Sequence, residues 1–188
     1  MLETKRGKLL DVGCGIGWVV AEAEKRGFEG TGIDSSKVFT DLGKKALRVK
    51  LFSKSLEKFQ TKEKFDVIIL NHVLEHIKDP VKFLQTVKML LKPGGELLIA
   101  CPNIRSLIFF LFKERWYGLQ PAQHLSQFTP QTISMVVEKS GLVVRNVSTG
   151  SLYYNPPGLK KLAFLFLTNF GALMGLGDQV FVKATKNL

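Results

Sequence analysis

Asp11-Val12-Gly13-Cys14-Gly15-Ile16-Gly17 sets three glycines at alternate positions, directly after a short apolar run. That run, Lys8-Leu9-Leu10-Asp11-Val12, reads as a buried strand. Residues 18–26 follow at helical spacing, with Gly27 as a C-terminal stop. A strand, a glycine turn and a helix in that order suit a ligand with an anionic group. Glycines accept positive φ and let a ligand approach the main chain. The helix N-terminus offers unpaired N–H groups to a carboxylate or phosphate. The spacing narrows the choice. A dinucleotide fingerprint, G-x-G-x-x-G, needs a third glycine where Trp18 stands. The Gly-Lys-Ser/Thr ending of a P-loop is absent.

Residues 29–33 read as a second strand, ending at Asp34, 21 residues after Gly13. A carboxylate there can accept hydrogen bonds from both hydroxyls of a ribose. Alone, Asp34 would read as a helix-capping or loop acid; the glycine turn before it favours the ribose. Ser35 or Ser36 caps a helix that runs toward Arg48. Residues 49–52 form a weak third strand, and Phe65-Asp66-Val67-Ile68-Ile69-Leu70 a strong fourth one, rich in β-branched residues. Residues 80–91 are an amphipathic helix stopped by Lys92-Pro93-Gly94-Gly95, and residues 96–100 a fifth strand. Thr129 is the N-cap of a later helix, with Pro130 at its first position and a stop at Gly141. Residues 142–147 and 180–185 complete seven strands. Strands alternating with helices imply a parallel sheet covered on both faces, an α/β fold.

Five motifs now stand in order: Leu9-Leu10-Asp11-Val12-Gly13-Cys14-Gly15-Ile16-Gly17, Gly32-Ile33-Asp34, Phe65-Asp66-Val67-Ile68, Leu74-Glu75-His76-Ile77-Lys78-Asp79-Pro80 and Leu91-Lys92-Pro93-Gly94-Gly95. Together the chain resembles the class I S-adenosylmethionine-dependent methyltransferases. Val73-Leu74-Glu75-His76, His124-Leu125 and Phe128-Thr129-Pro130 look like the broad bacterial branch related to ubiquinone-biosynthesis methyltransferases. That branch mostly alkylates small molecules, including lipids, quinones and sugars. The resemblance implies a Rossmann-like three-layer αβα sandwich, with a mostly parallel seven-stranded sheet and an antiparallel C-terminal strand beside the fifth. It implies S-adenosylmethionine as cofactor and S-adenosylhomocysteine as product. Gly13, Gly15 and Gly17, with Cys14 between them, would line the methionine end; Asp11 would fix the turn and help bind the ammonium. Asp34 would hold the ribose beside Ser35. Ser55 and Leu56 would sit near adenine, and Asn71 and His72 beside the sulfonium.

The chain departs from the family twice. The family often has an Asp after strand three for the adenine amino group; the nearest match here is Ser55 in Ser53-Lys54-Ser55-Leu56. It also usually carries helices ahead of strand one, which here starts within ten residues of Met1. Two alternatives follow, a piece of a longer chain or a site more open than usual.

Methyl transfer is an in-line displacement that depends on positioning, with a general base where the acceptor must lose a proton. The chain has three histidines, His72, His76 and His124, and histidine is the usual base near neutral pH. His72 and His124 are the catalytic candidates, His72 as a pocket residue and His124 as a base or substrate ligand. For His76 a structural hydrogen bond weighs at least as much as catalysis. The three histidines and Glu75 have no strong ligand spacing, so no metal is expected. Asn155-Pro156-Pro157 reads as a rigid turn.

At 188 residues one domain is expected. Residues 9–100 would form its cofactor-binding half, and 101–188 a substrate-side half with an apolar insert. The net charge of +11, from 27 Lys+Arg against 16 Asp+Glu, favours an anionic partner or is a solvated basic surface. Leu107-Ile108-Phe109-Phe110-Leu111-Phe112 lies between Arg105 and Lys113, and residues 162–177 are also largely apolar. Neither reaches the ~20 residues of a membrane span. Core packing, or a lid, is one reading. The other is a lipid-facing surface. The expected acceptor is therefore a small molecule, hydrophobic or anionic, with peripheral membrane contact as a further partner. An RNA methyltransferase is a rival, disfavoured by the lack of an RNA-binding module; a cofactor-binding pseudo-methyltransferase is another. Cys14 and Cys101 form no CxxC, and the N-terminus lacks a secretory apolar core. Both features predict free thiols and a cytoplasmic chain, with peripheral contact at the inner face of the membrane as the further reading.

Overall fold

The computed structural model describes residues 7–151 and 170–187. Its strands are β1 (Lys8–Val12), β2 (Glu29–Asp34), β3 (Leu51–Ser53), β4 (Phe65–Asn71), β5 (Leu91–Pro102), β6 (Val143–Gly150) and β7 (Gln179–Thr185). They form one sheet in the order β3-β2-β1-β4-β5-β7-β6. The pairs β1–β2, β1–β4, β2–β3 and β4–β5 are parallel, and β7 runs antiparallel to both β5 and β6. This is the expected Rossmann-like sheet. The helices are α1 (Trp18–Lys25), α2 (Lys37–Leu47), α3 (Pro80–Leu90), α4 (Leu107–Phe112) and α5 (Pro130–Lys139).

The alternation of side chains along the central strands builds three layers. Leu10, Val12, Ile68 and Leu70 join Phe83, Leu84 and Val87 of α3 and Ile133 and Val137 of α5 in the main core. Leu9 and Val67 point the other way, to Ala23 of α1 and Phe28. Nearly every residue of β1 and β4 is buried or half-buried, as a sheet covered on both faces requires.

Local signals act as the sequence implies. Ser36, the second of the two candidates, caps α2 by accepting from Phe39 N. Thr129 and Thr132 form a reciprocal capping box on α5, with Pro130 at its start. β5 corrects the expectation. It begins at Leu91, not residue 96, and runs through Lys92-Pro93-Gly94-Gly95. Leu91 pairs with Phe65, the register shifts, and Glu96 then pairs with Val67. The Pro-Gly-Gly stretch is held from the far end of the chain: Gly94 N donates to Lys186 O and Lys186 N to Gly95 O, both at 3.0 Å. β3 starts two residues later than expected, and β6 extends to Gly150.

β1 lies between β2 and β4, where the chain order of the strands reverses. At such a switch point the loops beyond the carboxyl ends of neighbouring strands diverge and leave a crevice.

Candidate active site

The glycine turn occupies that crevice. Gly13, Gly15 and Gly17 have φ of 74°, 53° and 84°, a region where a side chain is strained. Gly13 N and Cys14 N donate to Ile33 O at 2.8 and 3.0 Å. Gly15 N donates to Asp34 Oδ2 at 2.9 Å, and Ser36 N to Asp34 Oδ1 at 2.8 Å. The bonds that tie the turn down thus run to β2, and Asp11 makes none of them. A Cβ on Gly13 would lie 2.5 Å from Val73 Cγ2, whereas one on Gly15 would meet nothing within 4 Å. The main chain at Gly15 therefore faces open space that a ligand can enter.

A cleft of about 320 Å³ opens beside the turn. Its polar lining comes from Asp34, Ser35, Lys54, Ser55, Glu57, His72 and His76, and its apolar lining includes Ile33, Leu56, Val73, Ile77 and Phe83. Of the residues read from sequence, Gly13, Asp34, Ser35, Ser55, Leu56 and His72 line this cleft. Asp11, Cys14, Gly15, Gly17, Asn71 and His124 do not. Asn71 is exposed at the end of β4. Lys54 and Glu57 are cleft residues that the sequence reading did not single out, although both flank Ser55-Leu56.

Asp11 is 2% exposed. Burial, reinforced by the negative charge of Asp34, pushes its carboxyl up to about 7. Burial, then Asp11 and Asp34, push the Cys14 thiol up to about 12. It is therefore a packing group in the turn, not a nucleophile.

The sequence places His72 and His76 on one helical face if a turn begins there. The structure departs from this. His72 has φ of 55°, and only a short 3-10 turn, Leu74–His76, follows it. His72 Nδ1 lies 3.1 Å from Oε1 of Glu75, which is 1% exposed. Glu75 Oε2 is buried without a partner among the described residues. His76 Nδ1 meets Gln123 O at 3.0 Å, and His124 Nδ1 meets Gly118 O at 2.8 Å. Carbonyl and carboxylate oxygens only accept, so a hydrogen on Nδ1 satisfies each of these three contacts. The rings of His76 and His124 stand edge to face, 4.8 Å apart. Glu75, His76 and His124 each bring one oxygen or nitrogen within 4.8 Å of the others. Chain spacing alone could not show this grouping, because 47 residues separate His76 from its partner Gln123. Three such atoms could meet a cation; two of the three side chains are already held by carbonyls and the third by His72.

Comparison with known proteins converges on one family. A family model described as "Methyltransferase domain" matches residues 2–147. Over 165 residues the chain is 31% identical to the mitochondrial ubiquinone biosynthesis O-methyltransferase of Homo sapiens, covering 79% of this chain and 44% of that one. It is 30% identical over 168 residues to the ubiquinone biosynthesis O-methyltransferase of Coxiella burnetii, covering 81% and 70%. The chain thus spans less than half the length of its mammalian relatives. Among solved structures, a methyltransferase of Thermotoga maritima, described as a possible histamine N-methyltransferase, superposes with a TM-score of 0.71. It is 18% identical, with 100% of this chain and 84% of that one covered. A Burkholderia thailandensis 1,6-didemethyltoxoflavin-N1-methyltransferase, solved with S-adenosylhomocysteine, gives 0.65 at 18% identity, covering 98% and 72%. The [4+2]-cyclase SpnF gives 0.72 at 18%, covering 99% and 77%. At these identities the structures speak for the fold alone.

Proposed function

The chain belongs to the class I S-adenosylmethionine-dependent methyltransferases, and on that basis we propose that it transfers a methyl group from S-adenosylmethionine to a small acceptor with an apolar portion. The observation that carries this is the pairing of an open glycine turn with Asp34 at the mouths of adjacent parallel strands.

The residues present fit the cofactor. Gly15 leaves its main chain open to a ligand, and Asp34 lines the cleft while bracing the turn. Its carboxylate would take the ribose hydroxyls. Leu56, Ile33 and Phe83 supply apolar walls for a flat base, and Asp11 a buried acid for the ammonium. The cofactor supplies an electrophilic methyl on a sulfonium. The chain's own work is to bind, to hold an acceptor in line with that methyl, and to take up a proton where the acceptor has one to lose. His72 and His124 are the candidates for that last task.

Two observations support an acceptor with an apolar portion. The relatives named above act in ubiquinone biosynthesis. On the substrate side α4 exposes Phe110, Leu111 and Phe112, next to Lys113 and Arg115 and close to Arg105. Such a surface suits peripheral contact with an anionic membrane. No helix of the described residues is long and apolar enough to cross one. The other apolar stretch of the sequence, residues 162–177, lies partly outside the described residues, as do Asn155-Pro156-Pro157.

Calorimetric titration with S-adenosylmethionine and S-adenosylhomocysteine tests the reading, alongside Asp34→Ala. Micromolar binding, weakened about tenfold or more in the variant, matches one or two lost charge-assisted hydrogen bonds. No binding to the parent chain would overturn it. Release of S-adenosylhomocysteine over a panel of phenols, with and without a polyprenyl tail, then reports the acceptor.

A further inference from the structure

We infer that Glu75 is a positioning residue that fixes His72 as the proton acceptor of the transfer, by holding its ring with Nε2 open to the cleft. This rests on the methyl-transfer reading above.

Of the two catalytic candidates, His72 lines the cleft and His124 does not. His124 is instead tied to Gly118 O and packed against His76. His72 also sits where the chain bends unusually. Its left-handed backbone, φ 55°, is held by a bond from its own N–H to Ala100 O at 2.9 Å. Such backbone persists where surrounding structure over-determines it, and it clusters at functional sites. The bend returns the ring to Glu75, three residues on. Glu75 itself is fixed, since its side chain is 2% exposed and its carbonyl accepts from Ser126 N. A buried carboxylate beneath Nδ1 selects one tautomer and favours the imidazolium once it forms.

An acceptor hydroxyl gives its proton to Nε2 while its oxygen bonds to the methyl carbon. The carbon–sulfur bond breaks, and its electron pair stays on sulfur. The imidazolium, paired with Glu75, later releases its proton to water.

Long-range nitrogen-15 spectra of histidine-labelled protein read the tautomer directly. In the wild-type chain His72 is expected with hydrogen on Nδ1 and a bare Nε2. In Glu75→Gln the amide can donate as well as accept, so the ring should divide between both tautomers. S-adenosylhomocysteine affinity should stay within about twofold, because Glu75 does not line the cofactor cleft. With an acceptor from the phenol panel, kcat should fall about tenfold or more at unchanged KM for S-adenosylmethionine, with partial rescue in Glu75→Asp. Hydrogen on Nε2 in the wild-type chain, or one tautomer in both proteins, would overturn the proposal. If Glu75→Gln does not fold, Glu75→Asp and the wild-type spectrum still decide it. Failure of the wild-type chain to bind S-adenosylhomocysteine would sink the methyl-transfer reading instead, and would leave the tautomer result standing apart.

Discussion

Folding raises the proton affinity of the Asp11 carboxyl. Its folded value, about 7, lies above its ordinary 3.8 because burial and Asp34 penalise the charge. Between those values the native state holds more protons than the unfolded one, so Asp11's contribution to stability falls as pH rises through that window. Asp11→Asn should therefore raise Tm relative to the wild type, and the gain should be larger at pH 8 than at pH 4. An equal Tm difference at both would show that the carboxyl is not perturbed. Ligand binding offers a second reading. If Asp11 meets the cofactor's ammonium, binding favours the carboxylate and expels a proton. Titrations at pH 6 in two buffers of different ionisation heat should show release in the wild type and none in Asp11→Asn. The settings of Asp34 and Asp11 differ: one carboxylate is held at the cleft wall by two main-chain N–H groups, the other is buried.

Among the elements, α5 was legible to its caps. Thr129 accepts from Thr132 N and Thr132 Oγ1 from Thr129 N, at 3.1 and 2.9 Å. Thr129→Ala removes one half of that exchange and should cost about 1 kcal/mol in denaturant unfolding. Because α5 packs toward α3 and the β6–β7 edge, cofactor affinity should not change; a loss of affinity would mean that α5 supports the cleft. β5 was less legible. Proline and paired glycines announce a break, but here two bonds to Lys186 and the pairing of Leu91 with Phe65 hold the segment in the sheet. The bonds to Lys186 join residues more than 90 positions apart in the chain, beyond any local pattern.

At the scale of the molecule, charge and apolar surface coincide at α4. Phe110, Leu111 and Phe112 are exposed on α4 beside cationic neighbours, in a chain of net charge +11. Anionic vesicles should therefore sediment with the protein at low salt, zwitterionic vesicles much less. Phe110→Ser with Leu111→Ser should weaken the association, and so should added salt. Equal recovery with both lipid types, unaffected by the substitutions, would remove the membrane from the proposal.

The stretch from β1 to β4 was open to reading from sequence because its signals are local. The glycine turn needs positive φ at three alternate positions, Gly13, Gly15 and Gly17, strands announce themselves by apolar runs, and Asp34 falls at the end of one such run. The order of these pieces along the chain determined the sheet and the place of the crevice. The histidine grouping after β4 was not readable in the same way. Glu75, His76 and His124 meet because residues 118–126 fold back on the turn after β4, through Ser126 N to Glu75 O and His76 to Gln123 O. The placing of the His72 ring between the cleft and Glu75 was decided by the left-handed backbone of His72 and the burial of Glu75. Neither leaves a periodicity or a spacing in the sequence, since both arise from contacts that only the packed domain supplies.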